Sequence, residues 1–367
     1  MGYKVRFVNY PRQYQQLKRQ FDGVFEEIMS GGDFILRRHV EEFEKRIADY
    51  VGTKHAIGVN TGTDALYLSA RAVGFGPGDE VITVAHTFVA TVGAIVQSGA
   101  TPVLVDVTDD FNINVDQIEA AISPKTKGII PVHLNGHACR MDKIMEIVEK
   151  HGLKIIEDAA QALGAEFRGK RCASFGHTGI FSFYPAKVLG TAGDGGLVCT
   201  NDDGLARKIR AFRDNGRVES VDVVECFGWC TRLDNLHAAL LDMKFNYFEP
   251  WIERRREIAR MYDEGLSGIP ELLLPPRSDA DYFDVYQNYV IRCRKRDDLF
   301  THLHKSGVEV LISWRVPMHK QKALGLDHFH LPMTERISAE VISLPMYPEL
   351  TDEEVEFVIE AVKKFFH

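Results

Sequence analysis

Residues 55 to 158 alternate between short apolar segments and amphipathic segments, and this alternation restricts the fold more than any other feature of the sequence. Helices are expected near residues 88–98, 116–123 and 141–151. The predicted strands are residues 55–59, 80–84, 102–106, 128–132 and 154–158. Strand–helix alternation of this kind predicts an α/β fold with a mainly parallel sheet that is covered by helices on both faces. Ligands bind such sheets at the carboxyl ends of the strands.

The pattern changes near residue 250, where a long charged helix follows Pro250. At 367 residues the chain is long enough for a second, smaller core. We therefore predict a large domain over residues 1–249 and a smaller C-terminal α+β domain over residues 250–367. Further helices are expected at residues 12–29, 38–50, 296–306 and 351–366, and further strands at residues 289–293 and 308–312. Thr351 and Glu354 predict a capping box at the start of the last helix.

Composition excludes several classes of protein. The chain is 45% hydrophobic and 26% charged, which is ordinary for a soluble globular protein. Its net charge is −8 and it has no long basic cluster, so no nucleic-acid partner is expected. No window has the roughly 18 apolar residues of a membrane span, and the amino terminus lacks a signal-peptide pattern, so we predict a cytoplasmic protein. The six cysteines never form Cys-x-x-Cys, which indicates reduced thiols and no metal site.

Lys187 stands in an unusual context. The run from residue 179 is typical of a strand, and it must end by Pro185 because proline has no N–H to donate. Lys187 follows this proline and precedes the glycine-rich run 189–196. That position is poor for packing but suits a side chain that reaches a ligand. A solvated loop lysine is the alternative.

Three other features also lie at strand ends. Gly62 and Thr63 stand at the start of a helix predicted at residues 64–73, where free amides form an anion site, although a simple helix cap is the alternative. Asp158 ends an apolar strand and needs a cationic or hydrogen-bonding partner, unless it caps the segment that follows. Phe88 follows another strand and is able to stack on a flat ring or pack in the core. Together with Lys187 these features match the needs of pyridoxal phosphate (PLP): a Schiff-base lysine, an aspartate for the ring nitrogen and a phosphate site.

On these residues the sequence resembles the PLP-dependent sugar aminotransferases of the aspartate-aminotransferase superfamily, fold type I. The resemblance is carried by residues 60–66, 77–81, 87–91, 99–103, 131–134, 157–162, 181–187, 193–196 and 344–348. It implies transfer of an amino group from L-glutamate to a keto- or aldehydo-sugar, linked to a nucleotide, by a ping-pong mechanism. It also implies a homodimer with each cofactor at the subunit interface.

The resemblance assigns roles to individual residues. It implies that Lys187 forms the Schiff base and that Asp158 contacts the pyridinium nitrogen. The other implied cofactor contacts are Gly62, Thr63 and Ser182 to the phosphate, Phe88 to the ring face and Gln161 to the 3-hydroxyl. The candidate substrate residues are His133, Arg232, Trp314 and His319.

Two segments differ from the family pattern. The family usually has Gly-x-Asn-x-Arg in a loop that reaches the partner's phosphate, whereas residues 228–232 place Cys230 at the Asn position. Either another donor such as Arg232 replaces the amide, or the loop has moved and Cys230 is a small buried residue. Residues 312–319 also differ, which indicates an unusual choice of sugar. The alternative functions are a sugar dehydratase, which would have histidine for Lys187, and a non-catalytic regulator, which would lack Lys187 or Asp158.

Overall fold

The computed structural model describes residues 2–218, 222–277 and 279–366. Its strands are β1 (His55–Val59), β2 (Glu80–Val84), β3 (Thr101–Val105), β4 (Thr126–Ile129), β5 (Lys154–Asp158), β6 (Glu166–Phe167), β7 (Lys170–Arg171), β8 (Thr178–Ser182), β9 (Gly196–Thr200), β10 (Tyr282–Phe283), β11 (Tyr289–Arg292) and β12 (Val341–Leu344). Its α-helices are α1 (Tyr10–Gln16), α2 (Lys18–Gly31), α3 (Arg38–Val51), α4 (Gly62–Val73), α5 (Val89–Ser98), α6 (Met141–His151), α7 (Asp203–Arg213), α8 (Asn235–Phe245), α9 (Phe248–Leu266), α10 (Arg296–Lys305), α11 (Pro332–Glu340) and α12 (Asp352–Phe366).

A seven-stranded sheet in the order β1-β9-β8-β5-β4-β2-β3 forms the centre of the molecule. The strands β3, β2, β4, β5 and β8 are parallel, and β9 pairs antiparallel with both β8 and β1. The connection from β8 to β9 contains no helix that would serve as a parallel crossover, so the chain returns antiparallel. The predicted α/β fold with a mainly parallel sheet is therefore confirmed. Two smaller sheets, β10-β6-β7 and β11-β12, lie outside it.

Apolar residues bury both faces of the central sheet. Ile155 and Ile156 of β5 are both fully buried although they point to opposite faces, as expected for a sheet covered by helices. The apolar stripe of α3 packs on one side, where the ring of Phe43 meets the ring of Phe183 edge-on at 5.3 Å. No helix among the described residues is long and apolar enough to span a membrane.

A second core lies in the C-terminal part of the chain. It is formed by residues of α9, α10, α12, β11 and β12, and it includes Val5 from the amino terminus. Val5 also pairs with Val308. The amino-terminal segment around Val5 therefore packs against the C-terminal core, although some 250 residues or more separate the two in the sequence. The helix α9 begins at Phe248, close to the predicted boundary at residue 250.

Several predicted elements differ in the structure. The helix predicted at 116–123 is wrong, because two 3₁₀ turns, Val115–Gln117 and Glu119–Ala121, stand there. Pro124 disfavours helical geometry at the residue before it and so limits the segment. The helix predicted at 12–29 is divided into α1 and α2 at Leu17.

Two predicted strands are shorter than expected. The strand predicted at 128–132 ends at Ile129, shortly before Pro131, which has no N–H for the ladder. The strand predicted at 308–312 forms only isolated pairings, between Val308 and Val5 and between Leu311 and Ser343. The sequence patterns did not predict α7, α8, α11 or β12. The capping box is confirmed, since Thr351 and Glu354 exchange side-chain bonds with each other's amides at 3.0 and 3.3 Å.

Asp106, directly after β3, holds the start of α11. Its Oδ1 accepts from the amide and the hydroxyl of Thr334 at 2.8 and 2.7 Å, and its Oδ2 accepts from the amide of Met333 at 2.8 Å. The carboxylate is buried and lies at the positive end of the helix dipole. One side chain therefore joins the central sheet to the helix that leads into β12.

We predict that Asp106→Ala lowers the free energy of unfolding by about 2–4 kcal/mol, because it leaves several buried donors without an acceptor. Urea unfolding at neutral pH measures this loss. The matched control is Asp116→Ala, at an exposed position, which is expected to change stability by less than about 0.5 kcal/mol. A loss below about 1 kcal/mol for Asp106→Ala would show that α11 does not depend on this cap.

Candidate active site

A cavity of about 540 Å³ opens at the carboxyl edge of the central sheet. It lies where parallel α/β sheets bind ligands. Eight residues that the sequence analysis singled out line it: Gly62, Thr63, Phe88, Asp158, Gln161, Ser182, Lys187 and Trp314. The structure thus brings together residues that are spread over some 250 positions of the chain.

The start of α4 forms one end of the cavity. Thr61 caps the helix by accepting from the Asp64 amide at 2.9 Å, and the amides of Gly62 and Thr63 in the first turn have no acceptor within the helix. A Cβ at Gly62 would lie 2.9 Å from the Cβ of Ser182, and one at Gly196 would lie 2.2 Å from the backbone of Thr61. Only glycine allows these backbones to approach so closely. The result is a tight turn whose amides and helix dipole suit a phosphate group.

Asp158 is the last residue of β5 and lies buried beside the cavity. Its Oδ2 accepts from the Thr91 hydroxyl at 2.8 Å, and its Oδ1 accepts from the Ala160 amide at 3.2 Å. Burial raises the pKa of this carboxyl, while the bond from Thr91 and the charge of Lys187 act in the opposite direction. The two hydrogen bonds fix the orientation of the carboxylate, and Asp158 does not cap a helix.

Lys187 lies in the turn that follows β8, where its amide donates to the Tyr184 carbonyl at 2.8 Å. Burial of the amine lowers its pKa from the ordinary 10.5 to about 8, and the nearby charge of Asp158 opposes this shift. An amine with such a pKa is neutral, and therefore nucleophilic, in a large fraction of molecules near pH 8. Lys187 is only partly exposed and lines the cavity, so it is not a solvated loop lysine.

Gln161 and two aromatic residues complete the walls. Gln161 accepts from the Asn135 amide at 2.7 Å through Oε1, which leaves its Nε2 to donate into the cavity. Phe88 is 59% exposed, so it does not pack in the core. Trp314 has a φ of +52°, which is rare for a bulky residue, and its ring meets the buried ring of His86 edge-on at 5.3 Å.

Two predicted substrate residues are buried away from the cavity lining. His133 Nδ1 accepts from the Cys139 amide at 3.0 Å, so Nε2 carries the proton and donates to Glu157 at 3.1 Å. His319 is also fully buried and lies 3.1 Å from Glu335 through Nε2. Neither ring lines the cavity.

Arg232 also lies outside the cavity lining. It donates to Asp214 at 3.1 Å and to the Cys230 sulfur at 3.1 Å. Cys230 is exposed on this chain. The neighbouring Thr231 donates to Asp64 in the first turn of α4 at 2.6 Å, so the loop 228–232 adjoins the helix that opens the phosphate site.

Sequence reasoning missed several polar side chains of the lining, among them Thr87, Thr91, Tyr184 and Asp194. Thr91 stands in the first turn of α5 and Thr87 precedes that helix, and the two hydroxyls are 2.8 Å apart. Tyr184 and Asp194 flank Lys187 in the sequence and line the same cavity.

Comparison with known proteins agrees with this site. Residues 15–363 match the model of the DegT/DnrJ/EryC1/StrS aminotransferase family. The chain belongs to this family. It is a PLP-dependent aminotransferase of fold type I, as the resemblance implied.

Individual relatives span nearly the whole chain. A "pleiotropic regulatory protein" of Geobacillus stearothermophilus is 41% identical over 99% of this chain and 98% of its own. The UDP-N-acetyl-3-dehydro-alpha-D-glucosamine 3-aminotransferase of Acidithiobacillus ferrooxidans is 40% identical over 96% of this chain and 97% of its own. The crystal structure of S. venezuelae DesV in complex with a ketimine intermediate superposes with a TM-score of 0.96, at 37% identity, and covers 100% of this chain and 99% of its own.

The cavity of this aminotransferase fits PLP on its own chemistry. It offers a helix amino terminus for an anion, a buried carboxylate for a ring nitrogen and an amine of lowered pKa for an aldehyde. The close packing at Gly62 and Gly196 forms a cradle that a Cβ would fill.

We predict that the amine of Lys187 reacts with trinitrobenzenesulfonate in the cofactor-free protein with a midpoint near pH 8. The reason is that only the neutral amine reacts, and burial lowers the pKa of this amine to about 8, so half of the molecules carry a neutral Lys187 near that pH. Peptide mapping after timed labelling at each pH gives the profile of this one lysine. Asp158→Asn, which removes the opposing charge, is expected to move the midpoint to lower pH. A midpoint near 10.5 in the wild-type protein would mean that the amine is solvated.

Proposed function

We propose that this aminotransferase transfers an amino group from L-glutamate to a keto- or aldehydo-sugar that is linked to a nucleotide. The observation that carries the proposal is the meeting of Lys187, Asp158 and the start of α4 in one cavity of a chain from this family. The names of full-length relatives support the sugar acceptor, including the UDP-linked amino sugar of the A. ferrooxidans enzyme. Glutamate and ping-pong kinetics follow from the resemblance of the sequence.

Each residue of the site has a distinct task in this proposal. The amides of Gly62 and Thr63 and the hydroxyl of Ser182 bind the phosphate, and Phe88 covers the ring face. Bound there, PLP supplies an electron sink that stabilises negative charge on the carbon next to the amino group. Asp158 keeps the ring nitrogen protonated and thereby sustains the sink.

In this proposal the amine of Lys187 transfers the α-proton of the amino donor. With glutamate bound in the cavity, Lys187 Nζ would take the proton from the α-carbon of the donor and hold it for return to a reacting carbon. It reverses this movement when the sugar is aminated. The lowered pKa suits this role, because a general base works best when its pKa lies near the working pH.

We further propose that two copies of the chain share the active sites. The loop 228–232 adjoins α4 next to the proposed phosphate site, and it carries the exposed Cys230 and the partly exposed Arg232. In this arrangement Arg232, rather than an amide at position 230, offers the donor towards a partner's phosphate. The substrate roles of Trp314, His133 and His319 remain predictions, with Trp314 the one of these three that lines the cavity.

Half-reactions test the function. The protein is first converted to its pyridoxamine form with L-glutamate, and nucleotide-linked keto-sugars, free keto-sugars and 2-oxo acids are then offered in turn. We expect a nucleotide-linked sugar to restore the absorbance of the pyridoxal form fastest, with a matching aminated product by mass spectrometry. Restoration by simple 2-oxo acids alone would contradict a sugar acceptor. Failure to accept an amino group from any donor would favour a regulatory protein.

We predict that Asp158→Asn lowers kcat by more than about 150-fold. The lost charge-assisted hydrogen bond is worth ~1.5–3 kcal/mol, or about 10- to 150-fold, and an unprotonated ring is in addition a weak electron sink. Steady-state kinetics with glutamate and the best sugar measure the change. Asp116→Asn makes the same substitution at an exposed site and is expected to retain wild-type turnover. Near wild-type turnover in Asp158→Asn would exclude its role at the ring nitrogen.

A further inference from the structure

One side chain from the C-terminal part of the chain holds the backbone on both sides of Lys187. The Oε1 of Gln287 accepts from the Val188 amide at 2.8 Å, and its Nε2 donates to the Ala186 carbonyl at 2.8 Å. Gln287 is 7% exposed. Because a carboxamide both accepts and donates, this single residue fixes the two peptide groups that flank the lysine.

The turn around Lys187 is held at further points. A Cβ at Gly190 would lie 2.4 Å from the Pro185 carbonyl oxygen, so the turn folds tightly back on itself. The buried amine of Lys244, on α8, donates to the Gly190 carbonyl. These contacts close the turn. Among the described residues, Gln287 is the only side chain that hydrogen-bonds to both peptide groups next to Lys187.

Gln287 is itself rigidly placed. The buried guanidinium of Arg255, on α9, donates at 3.0 Å to the carbonyls of both Tyr286 and Met346. On the other side of Gln287, Asn288 donates to the Asn135 side chain at 3.2 Å. Since the Asn135 amide donates to Gln161, the segment 286–288 connects two walls of the cavity, one carrying Lys187 and the other Gln161.

We propose that Gln287 is a positioning residue for the amine of Lys187. A lysine side chain has many rotamers, so the region that Nζ reaches depends on how firmly its backbone is fixed. Gln287 does not line the cavity and therefore acts through Lys187. It places Nζ for attack on the aldehyde carbon of PLP, where a carbon–nitrogen bond forms and the aldehyde oxygen leaves as water with two protons from the amine. The inference rests on the role of Lys187 in the proposed function.

The test separates binding of the cofactor from formation of the covalent link. Gln287→Met removes both hydrogen bonds at nearly unchanged side-chain length, and Gln20→Met makes the same change at an exposed position on α2. Non-covalent affinity is measured with pyridoxine 5′-phosphate, which has the phosphate and ring but no aldehyde. The rate of link formation is measured by stopped-flow absorbance after mixing cofactor-free protein with saturating PLP.

We expect Gln287→Met to bind pyridoxine 5′-phosphate within about 3-fold of wild type and to form the link about 10- to 100-fold more slowly, since small displacements of a reacting group cost that much in rate. Gln20→Met should match wild type in both measurements. An unchanged rate, or a rate and an affinity that fall by the same factor, would overturn the proposal. The second outcome would give Gln287 a general structural role.

Two further variants keep the test decisive, one in case Gln287→Met does not fold and one that examines the proposed function separately. Should Gln287→Met not fold, Gln287→Glu decides by the same two measurements, because it keeps the acceptor for Val188 but turns an oxygen towards the Ala186 carbonyl. Lys187→Ala tests the proposed function separately. If that variant still gives a borohydride-stable link at one site, the assignment of Lys187 fails, whatever the result for Gln287.

Discussion

The site depends on the burial of one amine beside one carboxylate. In the cavity at the sheet edge, loss of water destabilises the charged forms of both Lys187 and Asp158, which lowers the pKa of the amine and raises that of the acid. Their mutual attraction limits both shifts. The amine therefore lies in a range where it serves as nucleophile and as base. Neither group would have this property on the surface.

The position of this pair follows from the geometry of the sheet. Asp158 ends a parallel strand, and Lys187 follows the neighbouring strand, so both stand at the same edge. The antiparallel β9 then returns beside β8 and brings Gly196 against Thr61. This close approach places the start of α4, with its free amides, next to the pair. One sheet edge thus supplies an anion site, an acid and an amine.

Hydrogen bonds between buried polar groups hold the surroundings of the site. Glu157, beside Asp158, accepts from the Phe175 and Gly176 amides at 2.7 Å and from His133. Both ring nitrogens of His133 are hydrogen-bonded in this network, so the ring is held away from the cavity. Gln287 acts in the same way on the turn of Lys187. Side chains that are remote from the cavity therefore determine how the reacting groups are presented.

Local signals allowed much of the fold and site to be predicted. Periodicity identified most central strands and the helices α3, α5 and α6, and proline and glycine around Lys187 marked the turn that carries it. Prediction was weaker where periodicity was ambiguous, as at residues 116–123, where a capping Asn114 and Pro124 produce 3₁₀ turns. The helix α8 lacked such a signal because its apolar residues lie all round the helix, whereas α7, with its capping Asp202 and an amphipathic pattern, carried a signal that the sequence analysis did not use.

The sequence by itself determined the chemistry of the site, because the order of strands and helices dictates which residues end at the carboxyl edge of a parallel sheet. The tertiary structure alone decided which of the remaining polar residues join them. Trp314 reaches the cavity while His319, five residues later, is buried against Glu335. Asp106 caps a helix that begins 226 positions later at Pro332, and Gln287 holds a turn 100 positions earlier. Such contacts depend on how distant segments pack, and no local pattern in the chain encodes them.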